Sequence, residues 1–180
     1  MSSTDVTLDH EISTVLKVVE QRTVAFMRDE LSLIVESISR RLHQEESVML
    51  RDMTAIVGVG SQAGLYIAYS YDESLIRAMM LRYSAELSVA AEDEALYMRE
   101  TASEVVNVIV GNCTVDLARR GEVVTLSPPV LALGAKTIQG RPKTAIAVLT
   151  LRFAEGVLDV AFVGPKLLFD DHLNYMGGAR

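Results

Sequence analysis

The chain has 180 residues, 49% of them hydrophobic and 23% charged, with net charge −7 and a pI of about 5.0. This is ordinary globular usage; it excludes disorder over most of the length and suits one domain, able to bury ~70% of its unfolded surface without a disulfide or metal. The negative field makes nucleic acid and anionic membrane poor partners, and the single cysteine, Cys113, excludes an internal disulfide.

The opening "MSSTDVTLDHE" is polar and acidic, with no basic segment leading into an apolar run, so it does not read as a signal peptide. No stretch approaches the ~20 apolar residues that a membrane span requires. A cytoplasmic protein is expected, with residues 1–8 as a disordered tail before one domain over 9–168.

Residues 9 to 43 contain neither Pro nor Gly. Val15, Val18, Val19, Phe26, Leu31, Ile34, Val35, Ile38 and Leu42 recur there at helical spacing, which predicts a long amphipathic helix over 9–43, or two with a break. "MTAIVGVG" (53–60) and "GLYIAYSY" (64–71) are short β-rich runs, and "SQA" between Gly60 and Gly64 supplies a turn, predicting a hairpin. Asp72 then stands as the cap of a short helix, "DESLIRAMMLRY".

A second long helix is predicted over 91–119. "SPP" (127–129) belongs to an extended connection, because proline cannot continue a helix and restrains the residue before it. "VLALGAK" reads as a strand. After the basic loop "QGRPK" comes another hairpin, "TAIAVLTLRF" and "VLDVAFVG", joined at "AEG". The last residues, "DDHLNYMGGAR", read as a frayed tail, set at 169–180 in the domain plan. A helix followed by a hairpin thus occurs twice, although the halves share little identity. The expected class is α+β, a largely antiparallel sheet built from hairpins with two long helices packed on it.

Within the second long helix, "SEVVNVIVGNC" (103–113) is unusual because Asn and Gly each cost up to ~1 kcal/mol relative to Ala inside a helix. At ~100° per residue, Ala95, Ala102, Val106, Ile109, Cys113 and Leu117 cluster opposite Glu104 as a core stripe. Glu100, Glu104, Asn107 and Gly111 fall together on the outer face, beside Val108 and Val115. A polar pair with apolar flanks, and a glycine that lets another backbone approach, makes a docking surface. Periodicity alone leaves a solvated surface as the alternative.

"SEVVNVIVGNC", continued by "TVDLARRGEVVTLSPPVLALG", resembles the chemotaxis phosphatases of the CheC/CheX/FliY group, and within it the CheX branch above all. "GVGSQAGLYIAYSYDESLIRAMM" fits the same pattern, so the resemblance covers most of residues 48–165. It implies the CheC-like fold and hydrolysis of the phospho-aspartate of a CheY-type response regulator in chemotaxis signalling. Glu104 would dock the partner and Asn107 would orient the hydrolytic water, with Glu100, Val108 and Gly111 around them as docking residues. No cofactor of the chain's own is implied; Mg²⁺ is expected on the regulator. The resemblance further implies a homodimer. One position departs: the residue four before the glutamate, usually Asp or Ser in that group, is Glu100 here. Residues 1 to 100 contain no asparagine, so one site per chain is expected. The alternative is a non-catalytic adaptor that binds a response regulator or a flagellar-switch component on the same face.

Other features read as structural. "GVGSQAG" lacks both the glycine spacing and the following helix of a dinucleotide loop. His10, His43 and His172 are far apart, with no second ligand at zinc spacing. "FDDHLN" reads as polar tail, "RPK" and "ARR" as solvated basic groups, and the methionines as core filler. Cys113, on the core stripe, is expected to be an inert buried thiol.

Overall fold

The computed structural model describes residues 5–41, 46–60, 64–85, 89–119 and 125–165. The predicted turn at 61–63, His43, His172 and the predicted tail at 169–180 lie outside them. In chain order the elements are α1 (Asp5–Asp29), β1 (Ser37–Arg41), β2 (Ser47–Met49), β3 (Met53–Gly60), β4 (Leu65–Tyr71), α2 (Glu73–Tyr83), α3 (Glu94–Arg119), β5 (Thr125–Leu126), β6 (Val130–Leu133), β7 (Thr137–Gln139), β8 (Thr144–Phe153) and β9 (Gly156–Pro165).

Among the described residues the main sheet has seven strands, all antiparallel, in the order β1-β8-β9-β4-β3, with β5 and β6 both on the outer side of β3. Both predicted hairpins, β3–β4 and β8–β9, form, and they join through β4 and β9 in the middle. The topology repeats about that central pair. β1 follows α1 and pairs with β8 of the other half; β6 follows α3 and pairs with β3. β2 and β7 pair with each other as a separate ribbon. The twice-used unit read from the sequence is therefore a pair of interlocked halves.

Strand alternation sorts the side chains. Leu65, Ile67, Tyr69 and Tyr71 of β4 join Leu158, Val160 and Phe162 of β9 in the main core. Val15, Val18, Val19, Phe26 and Met27 of α1 reach the same core, as do Ala102, Val105, Val106, Ile109, Val110 and Cys113 of α3. Beneath the opposite face lies a smaller cluster of Ala68, Ile146, Val148 and Ala161, closed by Val48 of β2 and Ile138 of β7. The expected α+β architecture stands, with helices on one face and a two-stranded ribbon on the other.

The first helix departs from its predicted extent of 9–43: it runs from Asp5 to Asp29. Ser32 adopts a left-handed conformation (φ 51°), its N–H bonding to Arg28 O at 3.1 Å and that of Leu33 to Met27 O at 2.8 Å. Arg82 of α2 donates to the carbonyls of Leu31 and Ser32, both at 3.2 Å. At that exit Leu31 and Leu33 are buried while Ser32 and Ile34 are exposed. Residues 37–41 then pair with β8 as an edge strand. A second departure concerns Asp72. It occupies the N-cap position of α2 but makes no side-chain cap bond. Its carboxylate instead accepts from Arg51 Nη1 at 2.6 Å and Val157 N–H at 2.8 Å, while Asp52 accepts from the Glu73 N–H at 2.8 Å. A guanidinium 21 residues upstream competes successfully for a carboxylate that local rules assign to the helix.

Arg51 also bonds Asp159 of β9 (Nε–Oδ2 2.7 Å), and Asp159 accepts from Thr150 Oγ1 of β8. The group ties the start of β3, the start of α2 and the β8–β9 hairpin together. Gly156, at the hairpin turn with φ 148°, is required there, since a Cβ would stand 2.8 Å from Ser74 Oγ and 3.1 Å from Leu75 Cβ.

Two buried polar groups give opposite predictions. Among the described residues the fully buried Tyr71 hydroxyl has no hydrogen-bond partner. Tyr71→Phe should therefore raise stability by about 1 kcal/mol in urea unfolding. Asp159→Ala, which takes an acceptor from both Arg51 and Thr150 and leaves Asp72 as the acid paired with Arg51, should lower it by about 3 kcal/mol.

Candidate functional site

Helix α3 carries the site, and its phase is set by what it buries. Met98, Thr101, Ala102, Val105, Val106, Ile109, Val110 and Cys113 are all buried. This is a broader face than the predicted stripe, because α3 packs on α1 and α2 as well as on the sheet. Ala102, Val106, Ile109 and Cys113 sit where expected. Ala95 does not: it is exposed in the first turn, because burial starts at Met98. The Leu117 side chain lies outside the described residues. Arg22 of α1 clamps α3 with two parallel bonds to Asp116, both 2.6 Å, which fixes the rotation of one helix against the other.

With the inner face held, Glu100, Glu104 and Asn107 are exposed, and Val108 and Gly111 are half-buried beside them. All five predicted site residues therefore share one outward strip. A Cβ built at Gly111 would meet nothing within 4 Å. The glycine is thus not demanded by packing against the described residues, which leave the space above it free for another molecule. Val115, 49% exposed, continues the apolar flank.

The first half of the strip borders a groove of ≈ 760 Å³ between α2, α3 and β6. Glu100 and Glu104 stand on its wall with Tyr83, Leu96, Tyr97 and Leu131. Burial, followed by the nearby carboxylates of Glu104 and Glu30, pushes the Tyr83 phenol above its usual range. Sequence reasoning missed this groove; its only trace was the outward phase of Leu96 and Tyr97 on the same helix.

Among the described residues, helix α1 does not repeat the strip. The buried set Val15, Val18, Val19, Thr23, Phe26 and Met27 repeats the spacing of Met98, Thr101, Ala102, Val106, Ile109 and Val110. That register puts Gln21 and Val24 where α3 has Glu104 and Asn107. Neither a carboxylate nor a side-chain amide stands at the second position.

Other chemistry is sparse. No group of three or more His, Cys, Asp or Glu among the described residues is arranged to hold a metal ion. No described helix is long and apolar enough to cross a membrane. Burial pushes the Cys113 thiol from 9.0 to about 12, with Arg22 opposing. At pH 8 this lowers its thiolate fraction on the order of 10³-fold relative to an ordinary thiol.

Two measurements check this geometry. Because its missing Cβ would meet open space, Gly111→Ala should stabilise the protein by about 1 kcal/mol in urea unfolding, and Asn107→Ala by about 0.5 kcal/mol. Iodoacetamide should alkylate Cys113 at least ~100-fold more slowly in the native protein than in urea.

No family model matches the chain, and neither does any curated protein. Solved structures do. CheX from Vibrio vulnificus aligns over 82% of this chain and 97% of its own length, at 18% identity and TM-score 0.68. A CheC-like superfamily protein from Shewanella sp. PV-4 aligns over 84% and 97%, at 14% identity and TM-score 0.66. A CheX–CheY–BeF3–Mg²⁺ complex from Borrelia burgdorferi aligns over 83% and 96%, at 16% identity and TM-score 0.63. The chain therefore has the CheC-like fold that these proteins share.

Proposed function

We propose that the protein is a CheX-like phosphatase that removes the phosphoryl group from the aspartate of a CheY-type response regulator in chemotaxis signalling. The observation that carries this reading is the outward strip on α3. Glu104 and Asn107 are neighbouring and exposed, with open space over Gly111, on a fold shared with a CheX solved in complex with CheY.

Glu104 is the docking group: an exposed carboxylate able to pair with a lysine of the regulator. Asn107, one turn further along, enters the regulator's site, where its amide oxygen accepts a hydrogen bond from water and its NH₂ donates to a phosphoryl oxygen. An amide suits this role because it orients water without adding negative charge beside a phosphoryl group. Acyl phosphates are already reactive, so placing water in line is the main requirement. The regulator supplies its own Mg²⁺, which neutralises phosphoryl charge. Glu100, Val108 and Gly111 complete the contact, with Gly111 admitting a close backbone.

The partner is then the phosphorylated regulator, and the working form is a homodimer. Two decay assays test the activity. Wild-type protein should shorten the lifetime of the phosphorylated regulator, and Asn107→Ala should abolish the acceleration while still binding. Glu104→Ala should raise KM at least ~10-fold, equivalent to the ~1.4 kcal/mol of a charged hydrogen bond. Tight binding with an unaltered phosphoryl lifetime would replace the phosphatase with the adaptor reading. Light scattering should give twice the chain mass; a monomer at working concentration would remove the dimer.

A further inference from the structure

The groove beside Glu104 has not been given an occupant by the catalytic reading. Tyr83, Leu96, Tyr97 and Leu131 supply its apolar and aromatic lining, beside Ser84, Thr101 and Ser103. Leu96 is 52% exposed and Tyr83 45%, and together they present an apolar patch on one side of the groove. The wall is also firmly held. Arg77 joins Glu73 of α2 to Glu94 of α3, and Arg82 fastens the last turn of α2 to the carbonyls at the exit of α1. Tyr83, next in sequence to Arg82, is thereby presented by a fixed helix end.

Charge narrows what can enter. Glu100 and Glu104 line the groove, and Glu30 lies near enough to act on the Tyr83 phenol; among the described lining residues Arg99 is the basic one. Among the described residues Glu100 and Glu104 edge this apolar surface, with Glu30 acting on Tyr83, and that negative balance favours an apolar ridge flanked by a basic side chain. The volume of ≈ 760 Å³ has room for more than one side chain, such as those of a helix turn. Glu104 belongs both to the groove and to the strip containing Asn107. A partner seated on Glu104 therefore covers the groove at the same time.

We infer that this groove is the specificity pocket of the protein: it receives an apolar ridge with an adjacent Lys or Arg on the response regulator, and Tyr83 and Leu96 select among regulators. This rests on the regulator being the partner of the α3 strip. Tyr83 and Leu96 act by positioning the regulator, away from the reacting atoms.

The test uses the receiver domains encoded in the same genome, each purified and activated with beryllofluoride and Mg²⁺. Their affinity is measured by fluorescence anisotropy, and steady-state dephosphorylation is followed in parallel. Leu96→Asp and Tyr83→Ala should raise Kd and KM at least 10-fold for the preferred regulator, with the effect falling on KM rather than kcat. Tyr83→Phe, which keeps the ring, should return affinity to within about 2-fold. Both positions are exposed, and Asp is well tolerated in the first turn of a helix, so folding is expected to hold; thermal melts check it. Unchanged Kd in both disruptive variants would overturn the groove and leave the phosphatase reading intact. Loss of self-association in Leu96→Asp without loss of regulator affinity would also overturn it, making the groove a contact between copies. If wild type binds a regulator through the groove but does not shorten its phosphoryl lifetime, the pocket stands and the phosphatase falls. Failure of wild type to bind any regulator would overturn both.

Discussion

The antiparallel pairing of β4 with β9 is the contact on which the remaining structure depends. It joins the two hairpins, and its register, Tyr66 opposite Val163 through Tyr71 opposite Leu158, decides which residues face the helices. A slip of one position would turn Ile67, Tyr69, Val160 and Phe162 away from the helices and bring Ser70 and Asp159 toward them. With the register fixed, the two halves interlock, each lending an edge strand to the other's hairpin. The helix face becomes a single apolar surface that α1 and α3 must cover. Arg51 and Asp159 then lock the opposite side, where the polar members of the same strands lie.

That surface also determines the orientation of the site. Burying a Val or Ile side chain stabilises by roughly 1.5–3 kcal/mol. The inner face of α3 buries Val105, Val106, Ile109 and Val110, so its rotation is far more strongly determined than anything on the outer face could dictate. Against this, Asn107 and Gly111 cost together only ~1.5 kcal/mol in helix propensity. The helix tolerates them easily, and the outer strip is free to carry residues chosen for a purpose other than stability. Gly111 argues this most directly, since neither a tight turn nor an internal neighbour requires it.

How far the sequence could be read depends on whether each feature is local. Both hairpins and α3 were legible because their signals lie within one stretch: β-rich runs bounded by glycine, or a 3.6-residue period sustained over many turns. The end of α1 was not. In "LSLIVESI" the apolar residues satisfy either period, and the decision is made by a left-handed Ser32 and by Arg82, which arrives from the far end of α2. Strands β1, β2 and β7 are short, and β1 is mostly polar, so only their partners define them. Asp72 shows the same conflict on one residue, its cap role displaced by an arginine that helix rules do not consider. For the site, the outward strip was readable from spacing alone, whereas the groove needed three elements brought together before Tyr83 and Leu96 could be seen as one surface.

The interlocked halves explain why only one of two related helices bears the strip. Both long helices have an inner face committed to the same core, and both present an outer face beside it. On α1 that face holds the exposed Gln21 and, at its margin, Val24 packed against the core, and the neighbouring Arg22 is engaged in clamping α3 through Asp116. On α3 it holds Glu104 and Asn107, with α2 packed alongside to build a groove. The asymmetry is therefore carried by a few surface residues and one short helix, while the core stays nearly two-fold. A fold of this kind can gain or lose a site on either helix without disturbing the packing that holds it together, because six buried positions recur at the same spacing in both and the outer residues contribute little to it.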